Sequence, residues 1–268
     1  MALRCNFRLS VYVKQSEETI KKTTVMKKQF VMMMAAAMLC CTSCVKMGIK
    51  KLVPSDNVVK NEYPMTAFNK VDIDMVARVS FVQSPDGDYR VLLRCPDNYV
   101  DLFKFSVDDG ELNLRFAQNL HSSIEAKDVD VVVCSPTLLK LESEGVGTVS
   151  IDSLKTPSLD IESEGVSSIT IKGLDTQRLT VESSGVGSVR LEGRTTTALF
   201  ECSGVGDIDA KELNAADVKA EISGVGSITC FASKSITGGI TGVGSLKYAG
   251  HPQQKHLSRN GIGKITEL

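Results

Sequence analysis

The sequence predicts an all-β fold, a β-solenoid of stacked parallel coils about 20 residues long, and three observations carry that prediction. A short glycine phrase occurs seven times, as SEGVGTVSI, SEGVSSITI, SSGVGSVRL, SGVGDIDA, SGVGSITC, TGVGSLKY and NGIGKITEL. Its first glycines are Gly145, Gly165, Gly185, Gly204, Gly224, Gly242 and Gly261, spaced by 20, 20, 19, 20, 18 and 19 residues. Inside each repeat apolar and polar residues alternate with the two-residue period of a strand, and stretches of helical period are short or missing. A fixed period near 20 marks a solenoid, in which each repeat buries its apolar face only against its neighbours.

One copy taken alone, such as VESSGVGSVRL, looks like a glycine-rich phosphate loop. A dinucleotide fingerprint needs one such loop between a strand and a helix. Seven copies without helices do not supply that context.

Counting from each first glycine exposes the columns of the stack. Four positions after it stand Val149, Ile169, Val189, Ile208, Ile228, Leu246 and Ile265. Six and four positions before it stand mostly Leu, Ile, Val or Phe, such as Leu159, Ile161, Leu179 and Val181. One position after it stand Val146, Val166, Val186, Val205, Val225, Val243 and Ile262. These are expected as buried studs at a corner where only glycine tolerates the tightest backbone. A fully buried Val or Ile contributes roughly 1.5–3 kcal/mol, so such rungs make an ample core before conformational entropy is subtracted.

Upstream of the repeats the pattern is also β. Asp86-Gly87 and Asp109-Gly110 sit between alternating runs and read as hairpin or tight-turn signals. The run DVDVVV (128–133) leads into Ser135-Pro136, where proline ends or edges a strand.

The N-terminus has the form of an export signal. From Met26 the chain reads MKKQFVMMMAAAMLCCTSC: two lysines, an apolar run too short to span a bilayer, then small polar residues and Cys44. The signal reads as complete from Met26, so residues 1–25 are expected to precede the true start and to have no structural role. The end of the signal resembles a bacterial lipobox, with Ser43 before the cysteine and Cys41 where leucine is typical. That resemblance implies that Cys44 becomes a diacylated N-terminal residue and anchors the chain to a membrane. The competing reading is a signal cleaved nearby without lipid attachment. The expected organisation is a signal peptide over 26–43, a polar, basic tether over 44–66, and one solenoid domain over 67–268.

Composition narrows the function classes. With 31 basic and 32 acidic residues the chain has a net charge of −1 and no case for nucleic acid. The one C-x-x-C among the eight cysteines, Cys41-Thr42-Ser43-Cys44, falls at the end of the export signal, and no cysteine pair stands near His251 and His256, so neither a metal site nor a cofactor is expected. His121, His251 and His256 are scattered and read as solvated surface. Cys95, Cys134, Cys202 and Cys230 are possible disulfide partners in an exported chain, with no pairing readable.

The candidate binding stripe lies on the outward side. Three positions before each glycine stand Glu142, Glu162, Glu182, Glu201 and Glu221, and Glu144 and Glu164 add to the first two coils. On strands about 4.8 Å apart these carboxylates would stack as a like-charge ladder. The stripe admits three readings: a solvated face, a divalent cation held between rungs, or a docking stripe for a cationic partner. An enzyme needs a carboxylate of raised pKa in a pocket with a partner acid in a distinct environment. No such constellation is assembled, so the chain is expected not to be an enzyme. The last repeat, Gly261 to Leu268, shows no capping helix and is a candidate contact for a second copy.

These residues carry a resemblance. The phrase S-x-G-V-G-x-[VI]-x-[IL], preceded by AFNKVDIDMVARVSFVQ and DDGELNLRF, resembles the "head GIN" domain of auto-transporter adhesins, over about Phe68 to Leu268. That domain is common in lipoproteins and exported proteins of Bacteroidota-like bacteria. The resemblance implies a right-handed parallel β-helix, an outer-membrane lipoprotein and an adhesin-like role toward a protein or glycan. It supplies no catalytic residue. Surface-exported lipoproteins of that phylum tend to carry acidic residues after the lipidated cysteine, whereas Val45-Lys46-Met47-Gly48-Ile49-Lys50-Lys51 is basic. Both the surface and the periplasmic face therefore stand as orientations. The alternatives to an adhesin are a periplasmic scaffold or signalling accessory acting by self-association, and a polysaccharide-active enzyme.

Overall fold

The computed structural model describes residues 50–84, 86–117 and 122–268, and residues from Lys50 to Leu268 form one compact unit. Each coil has two long sides. The side leading into the glycine is built from Lys70–Asp74, Lys140–Ser143, Ser158–Ser163 and Arg178–Ser183, then the second halves of Val186–Cys202, Val205–Ile222 and Val225–Ile240, and last Gln254–Arg259. All pair in parallel with the next coil. The side leaving the glycine stacks Val76–Gln83 on Val146–Ile151 and continues in parallel register to Ile262–Glu267. A short third side stacks Leu154 on Leu174, Gly193 and Leu213. This is the β-solenoid that the period of about 20 predicts.

The interior is made of aliphatic ladders, as the column count predicts. Leu141, Ile161, Val181, Phe200 and Ala220 are register partners in turn, and all are buried. The parallel column runs Leu159, Leu179, Ala198 and Val218. The bulkiest residue of the first column, Phe200, shares its coil with the smallest of the second, Ala198. Ala198 beside it and Ala220 on the next coil leave room for the Phe200 ring in a close-packed core. On the leaving side Val149, Ile169, Val189, Ile208, Ile228 and Leu246 are buried, with Ile265 partly so.

The valine one position after each glycine corrects the expectation. Val146, Val166, Val186, Val205, Val225 and Val243 are 45–54% exposed and Ile262 is 75% exposed, so they are not buried studs. The reason is parity. Side chains alternate along a strand, and this column lies three residues from the buried one at Val149 and its equivalents. An odd step cannot put both inside.

The first glycines do make the corner, but close approach demands them. A Cβ on Gly165 would lie 2.1 Å from the Gly145 carbonyl oxygen and 2.3 Å from that of Glu144. The corner satisfies its own backbone: Ser143 O accepts from Glu164 N at 2.9 Å and Gly165 N at 3.0 Å, and Gly145 O accepts from Val166 N at 3.0 Å. Each coil repeats this pattern on the one below.

One coil escaped the glycine count. VDIDMVARV (71–79) lies in register with LESEGVGTV (141–149), with Met75 where the next coil has Gly145. Between these two coils the chain makes an excursion that closes the end of the stack. Phe103–Asp108 and Glu111–Phe116 form a hairpin through Asp109 and Gly110, both of positive φ, as the dipeptide predicts. Glu111–Phe116 lies under Lys70–Asp74, and Asp130–Ser135 under Val76–Gln83. Asp86-Gly87 makes a turn and not a hairpin, because Val76–Gln83 and Arg90–Pro96 flank opposite edges of Asp130–Ser135.

The stretch read as a tether is partly built into this cap. Val58–Pro64 is a strand, antiparallel to Arg90–Pro96. Val59, Asn61 and Tyr63 alternate inward, and the Tyr63 ring meets Phe105 edge-on at 5.1 Å. Lys50–Lys51 pairs with Ser122–Ser123. The polar composition of 44–66 conceals that alternation.

Candidate functional site

The register brings the five glutamates together. Glu142, Glu162, Glu182, Glu201 and Glu221 are successive partners across parallel strands. They alternate with buried Leu141, Ile161 and their equivalents, so the pleat that fills the core also turns every carboxylate outward. The ladder is one rung longer than expected, because Asp72 pairs with Glu142. The signal for Asp72 is the VDIDMVARV match, hidden by Met75.

Glu162, Glu182, Glu201 and Glu221 line a groove of about 430 Å³. Its other wall is the column next to the corner, Glu164 followed by Ser184, Ser203, Ser223 and Thr241. At the far end the acids stop: Gly239 and then Ser258 take the next two rungs. The groove therefore combines carboxylates with a row of hydroxyls.

Cations sit at the two ends of the ladder. Lys140 Nζ lies 2.9 Å from Glu142 and 3.0 Å from Glu162, and Lys219 Nζ lies 2.9 Å from Glu221. Burial lowers the affinity of Lys140 for its proton, but hydrogen bonds to these two carboxylates hold it well above the usual lysine range. Arg115 reaches Asp72, Asp74 at 2.9 Å and Glu144 at 3.8 Å. Among the described residues, Glu182 and Glu201 have no basic side chain within ion-pairing distance. Two charges one rung apart repel by about 1 kcal/mol in water and by more beside a protein surface. Lys219 acts on Glu201 at longer range, so the stretch without ion pairs lies in the middle of the groove.

Asp72 is the unusual member. It is buried, its Oδ1 has no hydrogen-bond partner, and Oδ2 accepts from Arg115. Burial pushes its pKa up to about 6, against the pull of Arg115 and with a further push from Glu142, Glu144 and Glu111. Lys140, Lys219 and Arg115 are contributors that sequence reasoning missed. Arg115 reaches Asp72, Asp74 and Glu144 from the strand beneath, which linear spacing does not display, whereas Lys140-Leu141-Glu142 and Lys219-Ala220-Glu221 set cation and acid two apart on one strand face and were readable.

The other expected features fall as follows. Cys44 lies outside the described residues, as does His121. His251 meets Glu267 at 3.1 Å and His256 is exposed. Cys95, Cys134, Cys202 and Cys230, open to disulfide pairing by sequence, are free, buried thiols. Each pairs across strands with a residue other than cysteine: Val59 faces Cys95 and Arg90 faces Cys134. Among the described residues no three His, Cys, Asp or Glu side chains converge on a metal position. No described helix is long and apolar enough to cross a membrane.

Residues 67–252 match the family model described as "Putative auto-transporter adhesin, head GIN domain". The chain belongs to that family. Among solved structures, a "putative adhesin" of Bacteroides fragilis is 40% identical to this head GIN chain, with a TM-score of 0.78 over 80% of this chain and 99% of that one. A "putative adhesin" of Parabacteroides merdae has 17% identity and a TM-score of 0.61, over 82% and 99%. A protein of Parabacteroides distasonis described as a "Putative lipid binding protein" has 20% identity and a TM-score of 0.63, over 82% and 100%. At that identity the last two share the head GIN fold and no more. No curated protein matches the chain.

Proposed function

We propose that this head GIN domain is an adhesin-like binding module of the cell envelope that holds a cationic partner along its acidic groove and performs no catalysis. The observation that carries the reading is the in-register ladder from Glu142 to Glu221, without an ion pair at Glu182 and Glu201. A fold that repeats a repulsive column at every rung gains nothing in stability from it. A partner carrying positive charge relieves that repulsion, and electrostatic complementarity gives it both steering and register. The Ser184–Ser203–Ser223 row beside the acids offers hydrogen bonds to a peptide or to sugar hydroxyls.

The chain is exported under its signal at 26–43 and held to the outer membrane by lipid on Cys44. Family membership and the lipobox resemblance support this, and protease shaving of intact cells decides between the surface and the periplasmic side. The buried Asp72 lies two rungs beyond Glu162 and outside the groove lining, so the groove carboxylates have no contrasting acid across from them and the geometry favours holding over hydrolysis.

The test is binding of a fluorescent oligolysine to the full chain. Wild type is expected to bind with an affinity that falls steeply as salt rises. Glu182→Gln with Glu201→Gln is expected to weaken it about tenfold, a loss of about 1.4 kcal/mol. An affinity unchanged in that double variant sinks the reading.

A further inference from the structure

The exposed valines form the most regular apolar feature of the molecular surface. Val146, Val166, Val186, Val205, Val225, Val243 and Ile262 are register partners in unbroken succession. At about 4.8 Å per rung the column is a straight ribbon roughly 29 Å long. Strand propensity does not call for it. Two residues further along the same strands, the equally outward column reads Thr148, Ser168, Ser188, Asp207, Ser227, Ser245 and Lys264. Cross-strand contact between neighbouring valines accounts for the covered half of each side chain. The other half remains in water.

We propose that this ribbon is the docking surface for a second copy of the chain. The reading goes beyond the proposed groove function and rests on the neighbouring column, which shares only the Ser184–Ser203–Ser223 row with the groove. Area supports it first. At about half exposure each, the seven side chains present roughly 600 Å² of apolar surface, the upper end of what a monomer carries. With the flanking hydroxyl rows, the strip approaches the roughly 800 Å² per partner of a standard interface.

Charge selects the occupant. Along the middle of the ribbon the bordering columns are Ser184, Ser203 and Ser223 on one side and Ser188, Asp207 and Ser227 on the other. Asp207 is the one charge among them, and it already accepts from Ser227 N at 2.9 Å and Ser227 Oγ at 2.6 Å. An apolar centre with a neutral hydroxyl rim suits an interface core, which is depleted of charge. A cationic partner finds nothing along the middle of this strip, and a bilayer surface meets no aromatic anchor among its residues.

Periodicity selects the second copy over an unrelated protein. Identical side chains at one fixed spacing interdigitate with another such row, each valine seated between two, as in a dry steric zipper. A second copy brings the matching spacing by construction.

The experiment places a photo-crosslinking benzoylphenylalanine at position 205 in the purified full-length chain, with the same residue at position 214 on the third side as control. The expected result is a covalent species of twice the chain mass from position 205 and not from position 214. Adding Val186→Thr and Val225→Thr, which keep shape and β-branching, is expected to cut that yield at least fivefold with an unchanged circular dichroism spectrum. Equal yields from both positions, no doubled mass, an adduct of another mass, or a yield that the threonines leave unchanged overturns the proposal. The contrast between 205 and 214 decides even if the threonine variant misfolds.

Discussion

Glu182 and Glu201 are register partners on adjacent coils with no basic side chain in ion-pairing reach of either, while Lys140 bridges Glu142 and Glu162 on one side of them and Lys219 pairs with Glu221 on the other. Binding and folding therefore pull these two positions in opposite directions. Changing both to glutamine removes a cross-strand repulsion and is expected to raise the unfolding midpoint by about 1–3 °C at low salt. The gain should shrink as salt screens the wild-type charges. Thermal denaturation at two salt concentrations checks it. A fall in the midpoint means that these carboxylates have stabilising partners instead.

Asp72 predicts a pH dependence of a particular sign. Its pKa is raised by burial from 3.8 to about 6, so between those values the folded state holds a proton that the unfolded state has released. Stability from this group is thus greatest at low pH and is lost as pH rises through about 6. Asp72→Asn is expected to stabilise the fold by about 1–3 kcal/mol at pH 7, with the advantage gone near pH 4. Arg115 keeps Asp74 and Glu144 as partners in that variant. Denaturant unfolding of both proteins from pH 4 to 7 tests this, and a difference that does not change with pH refutes it.

How much of this was legible in the sequence follows from which contacts are local. The core columns at Val149, Ile161 and their equivalents were readable because a solenoid repeats its inside at every turn. The glutamate ladder was readable for the same reason. The coil at Val71–Val79 was not, because Met75 removed the glycine that marked its siblings. The outward turn of Val186 was available from parity alone, since three residues separate it from buried Val189. The cap was out of reach: Val58–Pro64 finds Arg90–Pro96 across a polar stretch, and no repeat advertises that pairing. The same holds for the reach of Lys140 to Glu162 on the next coil, though Glu142, two residues along its own strand, was readable.

The four buried cysteines should behave as core residues. Burial pushes Cys95 up to about 11 and Cys230 up to about 12, far from the thiolate that reacts. Peptide mapping after alkylation is expected to find Cys95, Cys134, Cys202 and Cys230 unmodified in the folded chain and fully modified in denaturant without reductant. Modification in denaturant only after reduction would reveal disulfides and contradict the buried, unpaired thiols.

Gly185 and Val186 are adjacent and are expected to respond in opposite ways. A Cβ on Gly185 would lie 2.2 Å from the Gly165 carbonyl oxygen and 2.4 Å from that of Glu164. Gly165 O also accepts the Val186 N–H at 2.9 Å, so the coils cannot part without breaking their own corner. Gly185→Ala is expected to cost about 3 kcal/mol or more. Val186→Thr, on a half-exposed side chain, is expected to stay within about 0.5 kcal/mol of wild type. Urea midpoints of the two single variants decide between this corner and the buried stud that the phrase first suggests, because a valine sealed in the core would make the threonine costly as well.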